Sequence, residues 1–360
     1  MRILAVILIL IIMVSCAGER DDVPLLLSRA DSLLDRDMPE EAEKLYYRVL
    51  ELDPGNPSAL AGLGEALLMM NRLNEAKDAF IRSIEERPGN PDTYYSLGQV
   101  FLLQRKPDLA IREFKNVLRL DPKSARAYSA LGDVYFDLKD FARAKEMFQK
   151  ALEINPNFSL AHSGIGDVLV DLGQYDEAEN YYKKAMESDP GCEPALSGLA
   201  DISLYRNRPG EAEKRYRLIL EKNPDNLEVM FALAELCQKS GRFKEAENLY
   251  RGGLEIAPGY EWANGGLGLA LLSQGKILEA EKYLKRESEL FPGNFDADFM
   301  LARIYSRQNK IKAALVALES AVKKAPGLKK RALYEPDFKP LLENPEFREI
   351  IDAQPSDSGP

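Results

Sequence analysis

Apolar residues along 125–158 recur at steps of three and four. They are Tyr128, Leu131 and Tyr135, then Phe141, Ala144, Phe148, Ala151 and Leu152 after a polar break at Lys139-Asp140. Side chains three or four apart share one helix face, so this stretch predicts two amphipathic helices of three to four turns. Pro156 ends the second helix, because proline has no amide donor and drives its predecessor out of the helical region. The same pattern runs the length of the chain. Pro54, Pro88, Pro122, Pro156, Pro190, Pro224, Pro258, Pro292 and Pro326 stand thirty-four residues apart. An alanine stands twelve residues before each, from Ala42 to Ala314. A period held nine times without insertion marks a repeat array whose neighbouring units bury one continuous core. With proline as position 32, the units begin at Val23, Pro57, Pro91, Ala125, Ser159, Glu193, Leu227, Glu261 and Phe295.

Positions 7 and 8 read Leu63-Gly64, Leu97-Gly98, Leu131-Gly132 and Leu267-Gly268, with Ile165-Gly166 as a variant. An aromatic residue follows at 11, Ala at 20, an aromatic residue at 24, Ala at 27 and Pro at 32. This set resembles the tetratricopeptide repeat over residues 23–328, in nine units. The resemblance implies an all-α fold, a right-handed α-solenoid of antiparallel helix pairs. Position 8 carries Ala at Ala30, Ala200, Ala234 and Ala302. Small residues there predict close approach of the paired helices, position 8 against position 20, where overpacking costs ~1–3 kcal/mol. Departures fall late. The eighth unit has Leu284 at position 24 and Glu287 at position 27, and Gly252-Gly253 and Gly265-Gly266 flank the boundary between units seven and eight. Those glycines fit either a soft joint or close packing. After Pro326 no tenth unit begins, because Pro336 would interrupt it. Short helical turns over 337–342 and 344–351 predict a C-terminal cap within 329–352, with 353–360 a polar tail.

The N-terminus departs from the period. A positive start at Met1-Arg2 precedes twelve apolar residues, Ile3 to Val14, and then Ser15-Cys16-Ala17-Gly18. Twelve residues fall short of the roughly 20 that span a bilayer, so a secretory signal over 1–15 is expected. Met13-Val14-Ser15-Cys16 resembles the lipobox of bacterial lipoproteins, with Met13 where Leu is usual. The resemblance implies lipidation of Cys16, a short tether over 16–22, and, from Ala17, the periplasmic face of the outer membrane in the bacterial cell envelope. Acyl chains at ~0.8 kcal/mol per buried CH₂ hold such a protein stably when several are present.

Composition narrows the chemistry. Acids outnumber bases 58 to 48, for a net charge of −10, which argues against a nucleic-acid partner. The single histidine, His162, takes a packing position without a second ligand, and Cys192 and Cys237 read as buried small residues, so neither metal nor cofactor is expected. No catalytic constellation stands out, and a non-enzymatic role is expected. The resemblance points instead to an inner wall built by positions 2, 5, 9, 12 and 13 of each first helix. Position 9 reads Asp31, Glu65, Gln99, Asp133, Asp167, Asp201, Glu235, Leu269 and Arg303, and position 13 adds the acids Asp35, Asp137 and Asp171 and, in the last unit, Arg307. Tyr95, Phe231, Trp262 and Phe299 are the candidate apolar anchors. The wall is expected to be acidic for most of its length, apolar near its end and basic at its exit. Such acids fit either a merely solvated wall or a site for a basic or amphipathic segment of a protein partner. Envelope scaffolding is the expected role, with a non-catalytic subunit or recruiter of an envelope enzyme as the alternative.

Overall fold

The computed structural model describes residues 22–353. Cys16, the signal and the tail beyond 353 lie outside the described residues. The described chain is helical. Its helices are α1 Val23–Leu34, α2 Pro39–Leu52, α3 Pro57–Met69, α4 Leu73–Glu86, α5 Pro91–Leu103, α6 Pro107–Leu120, α7 Ala125–Asp137, α8 Phe141–Ile154, α9 Ser159–Asp171 and α10 Tyr175–Ser188. They continue as α11 Glu193–Tyr205, α12 Pro209–Lys222, α13 Leu227–Lys239, α14 Phe243–Ile256, α15 Ala263–Ser273, α16 Ile277–Leu290, α17 Phe295–Arg307 and α18 Ile311–Lys324. The chain then forms α19 Leu328–Tyr334, a 3₁₀ turn at Pro336–Leu341 and α20 Pro345–Asp352. Two compact bodies result, one ending at Ala195 and one beginning at Leu196.

Three devices recur along the helix pairs. Several first helices start at an acceptor: Asn56, Ser124 and Asn226 take the amide of the third helical residue, and Asn90 that of the second, before Pro57 or Pro91 where proline follows, whereas α1 and α9 start without a side-chain cap. Within each pair the turn closes through a left-handed residue at position 15: Asp37, Asn71, Arg105, Lys139, Gly173, Asn207, Gly241, Gly275 and Asn309. The next amide returns to the carbonyl five residues back, as Arg72 does to Leu67 at 2.8 Å. Third, an acid at position 21 meets a base at position 16 of the following unit: Glu43 with Arg72 at 2.7 Å, Glu213 with Arg242 at 2.6 Å, and Glu247 with Lys276 at 2.7 Å. Burial pushes the Glu247 carboxyl up, but hydrogen bonds from Lys276, Gln274, Arg251 and Lys244 outweigh it and bring it down to about 2.

The small residues work differently from the expectation. The position 20 alanines are buried, yet a Cβ on a position 8 glycine would meet the ring at position 24 rather than position 20. The distance is 2.6 Å at Gly64 to Phe80, Gly98 to Phe114 and Gly132 to Phe148, and 2.5 Å at Gly166 to Tyr182. Position 6 of the next unit closes on the same rings: Gly62 lies 2.3 Å from Tyr46 and Gly164 2.3 Å from Phe148, again measured from an added Cβ. The ring at position 24 therefore sets both the spacing within a pair and the spacing to the next.

The late glycines resolve toward close packing. A Cβ on Gly253 would lie 2.4 Å from Phe231, and one on Gly266 2.4 Å from Tyr250. Helix α15 starts at position 3, where other first helices start at position 1, and Tyr260 offers it no side-chain acceptor. Glu287 supplies one from α16. Its fully buried carboxylate accepts from the amides of Trp262 and Gly265, each at 3.2 Å, and from Asn294 Nδ2 at 3.0 Å. Trp262 sits at φ 68°, off the position 15 pattern.

Candidate functional site

In the body ending at Ala195, the position 9 acids are not equivalent. Asp31 accepts from the Tyr46 hydroxyl at 2.6 Å, and Asp167 from the Tyr182 hydroxyl at 2.6 Å. These tyrosines occupy position 24, whose ring also packs the core, so each phenol reaches across to the position 9 acid of the paired helix. Burial first, then the bond to Asp31, pushes the Tyr46 phenol well above its ordinary range. Glu65 accepts from Ser96 Oγ at 2.5 Å, and burial pushes its carboxyl up. Gln99 is half-buried. The Tyr95 ring is covered by the Arg126 guanidinium, 3.6 Å from its centroid, so this anchor already carries a cation. Asp171 pairs with Lys139 at 2.9 Å.

Asp133 and Asp137 differ from these. Their pair has Phe148 at position 24, so Asp133 has no phenol beneath it, and neither aspartate makes a hydrogen bond or ion pair among the described residues. Both reach solvent. Crowding by the surrounding wall, then the charges of Asp167 and Asp137, pushes the Asp133 carboxyl up to about 7. A raised carboxylate pKa makes the folded chain hold the proton more tightly than the unfolded one. Stability from this group is therefore full below about pH 4 and falls as pH rises toward 7. Asp133→Asn is expected to leave urea unfolding at pH 4 unchanged. At pH 8 it should raise stability by about 1 kcal/mol, a figure discounted for solvent screening, with the gain shrinking in high salt.

In the body beginning at Leu196, Asp201 accepts from the Tyr216 hydroxyl at 3.0 Å, and Glu235 pairs with Lys239 at 2.6 Å. Phe231 is half-buried against Tyr260, with ring centroids 4.6 Å apart. Leu269 is half-buried, whereas Trp262 is 54% exposed. The last pair corrects the expected trend. Phe299 is fully buried beneath Phe338 of the C-terminal cap and is no wall anchor. Arg303 and Arg307 do not form a basic exit, because Asp337 of the cap pairs with both, at 2.8 and 2.5 Å, and Glu335 pairs with Arg303 at 3.2 Å.

The remaining candidates lie off the wall. His162 Nε2 lies 2.9 Å from the Pro156 carbonyl oxygen, and Cys192 and Cys237 are buried and unpaired. A cleft of about 750 Å³ between α14 and α16 carries charges of both signs, including Arg251, Glu281, Lys285 and Glu289. No group of acids, histidines and cysteines suited to a metal ion occurs among the described residues. The pairing of position 9 with position 24 escaped a reading of one column at a time. Setting Asp31, Asp167 and Asp201 beside Tyr46, Tyr182 and Tyr216 would have found it.

A comparison with curated proteins finds no match. Among solved structures, a tetratricopeptide repeat protein from Parabacteroides merdae is 17% identical over 69% of this chain and 98% of its own, with a TM-score of 0.56. The Cut9-Hcn1 hetero-tetramer of the APC/C matches at 19% identity over 81% of this chain and 57% of that one, TM-score 0.57. MamA is 28% identical over 45% of this chain and 94% of its own, TM-score 0.40. Tetratricopeptide repeat models match residues 33–100, 169–220, 204–264, 239–289 and 271–333, and further ones match 91–124, 125–158 and 147–180. With helix pairs, turns and family matches in agreement over most of its length, the chain belongs to the tetratricopeptide repeat family.

Proposed function

We propose that this protein is a lipid-anchored scaffold that holds a basic or amphipathic segment of a partner protein against the inner wall of its first body, in support of an assembly process at a bacterial envelope membrane. The observation that carries the reading is the pair Asp133 and Asp137: two solvent-facing carboxylates without internal partners, one turn apart on one helix, where Asp31, Glu65, Asp167 and Asp171 are held by Tyr46, Ser96, Tyr182 and Lys139. A carboxylate placed against like charges gains most from an incoming cation. Apolar contact is at hand on the same positions, at Met69 (45% exposed), Leu103 (58%) and Leu160 (49%). An amphipathic segment would set its cations against the aspartates and its apolar side chains against these three.

Charge reversal at Asp133→Lys with Asp137→Lys removes no hydrogen bond of the fold, so it is expected to preserve helicity while abolishing partner capture. The anchor rests on Cys16 and its resemblance to a lipobox. Labelled palmitate is expected to enter the wild-type chain and not Cys16→Ser, and an unlabelled wild type would remove the anchor while leaving the wall untouched.

A further inference from the structure

The last helix pair presents the same wall positions as the others, and a segment of the chain already lies on them. Phe299 stands at position 5, Arg303 at 9, Ser306 at 12 and Arg307 at 13. The Asp337 carboxylate accepts from Arg303 Nε at 2.8 Å and from Arg307 Nε at 2.5 Å. Its backbone carbonyl accepts from Ser306 Oγ at 2.6 Å. Glu335 adds a second carboxylate 3.2 Å from Arg303 Nε, and the Phe338 ring meets Phe299 edge-on with centroids 5.4 Å apart. Wall positions thus read a carboxylate, a main-chain carbonyl and an aromatic ring from one short stretch.

Covering the apolar end of the array asks for less. Phe338, Leu341 and Phe347 are buried in one cluster with Leu318 and Phe299, and that burial alone closes the core. Two arginines converging on one carboxylate that is 9% exposed add little net stability, since desolvation offsets most of the attraction. What such a pair adds is selectivity for an anion at that point.

We propose that this wall is a ligand subsite for an acidic residue followed by an aromatic one, and that residues 335–338 occupy it as a tethered ligand. Its charge preference is opposite to that of the first body, so it stands or falls separately from the acidic wall. The tether holds the segment at an effective concentration on the order of millimolar, which excludes a free competitor at micromolar concentration. A partner bearing an acidic–aromatic segment gains the site only when the cap segment leaves it.

The test uses the full chain carrying Asp337→Ala and Phe338→Ala, with a fluorescein-labelled peptide of the chain's own residues 333–342 as the probe. Fluorescence anisotropy is expected to show binding at least about tenfold tighter than to the wild-type chain. Binding is expected to vanish when Arg303→Glu and Arg307→Glu are added, or when the peptide carries Asp337→Asn. A helical variant that binds the peptide no better than wild type overturns the proposal, and so does binding indifferent to the arginines or to the peptide carboxylate. If the double variant loses helicity, the wild-type chain is titrated with the peptide to millimolar concentration and hydrogen exchange of the amides within 335–338 is followed: faster exchange is expected as the peptide displaces the segment, and unchanged exchange overturns the proposal.

Discussion

Replacing Gly132 and Gly164 together by alanine is expected to lower stability to urea by roughly 2–5 kcal/mol, although alanine is the better helix former. Both glycines face the fully packed Phe148 ring, from its own pair and from the next one. An added Cβ would sit 2.6 Å from the ring on one side and 2.3 Å on the other. A ring pressed from one side could slide toward the other. Pressed from both, it must force α7, α8 and α9 apart. The two substitutions share one neighbour, so their costs should exceed the sum of the singles. Gly252→Ala supplies the control, since its Cβ would meet only Met230 Sδ at 3.7 Å. That change is expected to stabilise the chain by up to about 1 kcal/mol. Its neighbour Gly253→Ala is expected to destabilise, because its Cβ would lie 2.4 Å from Phe231. Equal behaviour of Gly252 and Gly253 would contradict the packing account and favour a soft joint.

Glu287→Ala is expected to cost about 2–4 kcal/mol, even though alanine is what the family usually places there. The substitution leaves the amides of Trp262 and Gly265 and the Asn294 side chain without their acceptor. Glu287→Gln keeps one acceptor oxygen and should cost less. Trp262 is the chain's single tryptophan, so its fluorescence reports the loosening of this helix start directly. An alanine variant with wild-type stability and emission would show that the carboxylate does not hold α15.

The proline and alanine columns made the helix pairs legible, because a helix boundary depends on local backbone chemistry that recurs with the sequence. Contacts between columns were harder to see. Gly132 reads as a small residue, and only the structure shows that Phe148, rather than Ala144, decides its size. The same applies to Asp31 and Tyr46, fifteen residues apart, which a helix wheel places on different helices. The acidic residues form a column in the sequence, but their inequality comes from what lies beneath: a phenol under Asp167, a phenyl ring under Asp133. The last pair reads as basic in the sequence because Arg303 and Arg307 look free until the chain folds Asp337 back onto them. Nothing local to either segment encodes that return. It depends on Phe338 finding Phe299.

The acidic wall is tested most directly in cells by a photocrosslinking residue in place of Leu103, which is 58% exposed on the same wall. Crosslinked peptides identified by mass spectrometry are expected to carry lysine or arginine beside apolar residues, and to disappear when Asp133→Lys and Asp137→Lys are introduced. Crosslinks that persist at full yield after the charge reversal, or that map to acidic segments, would contradict the account.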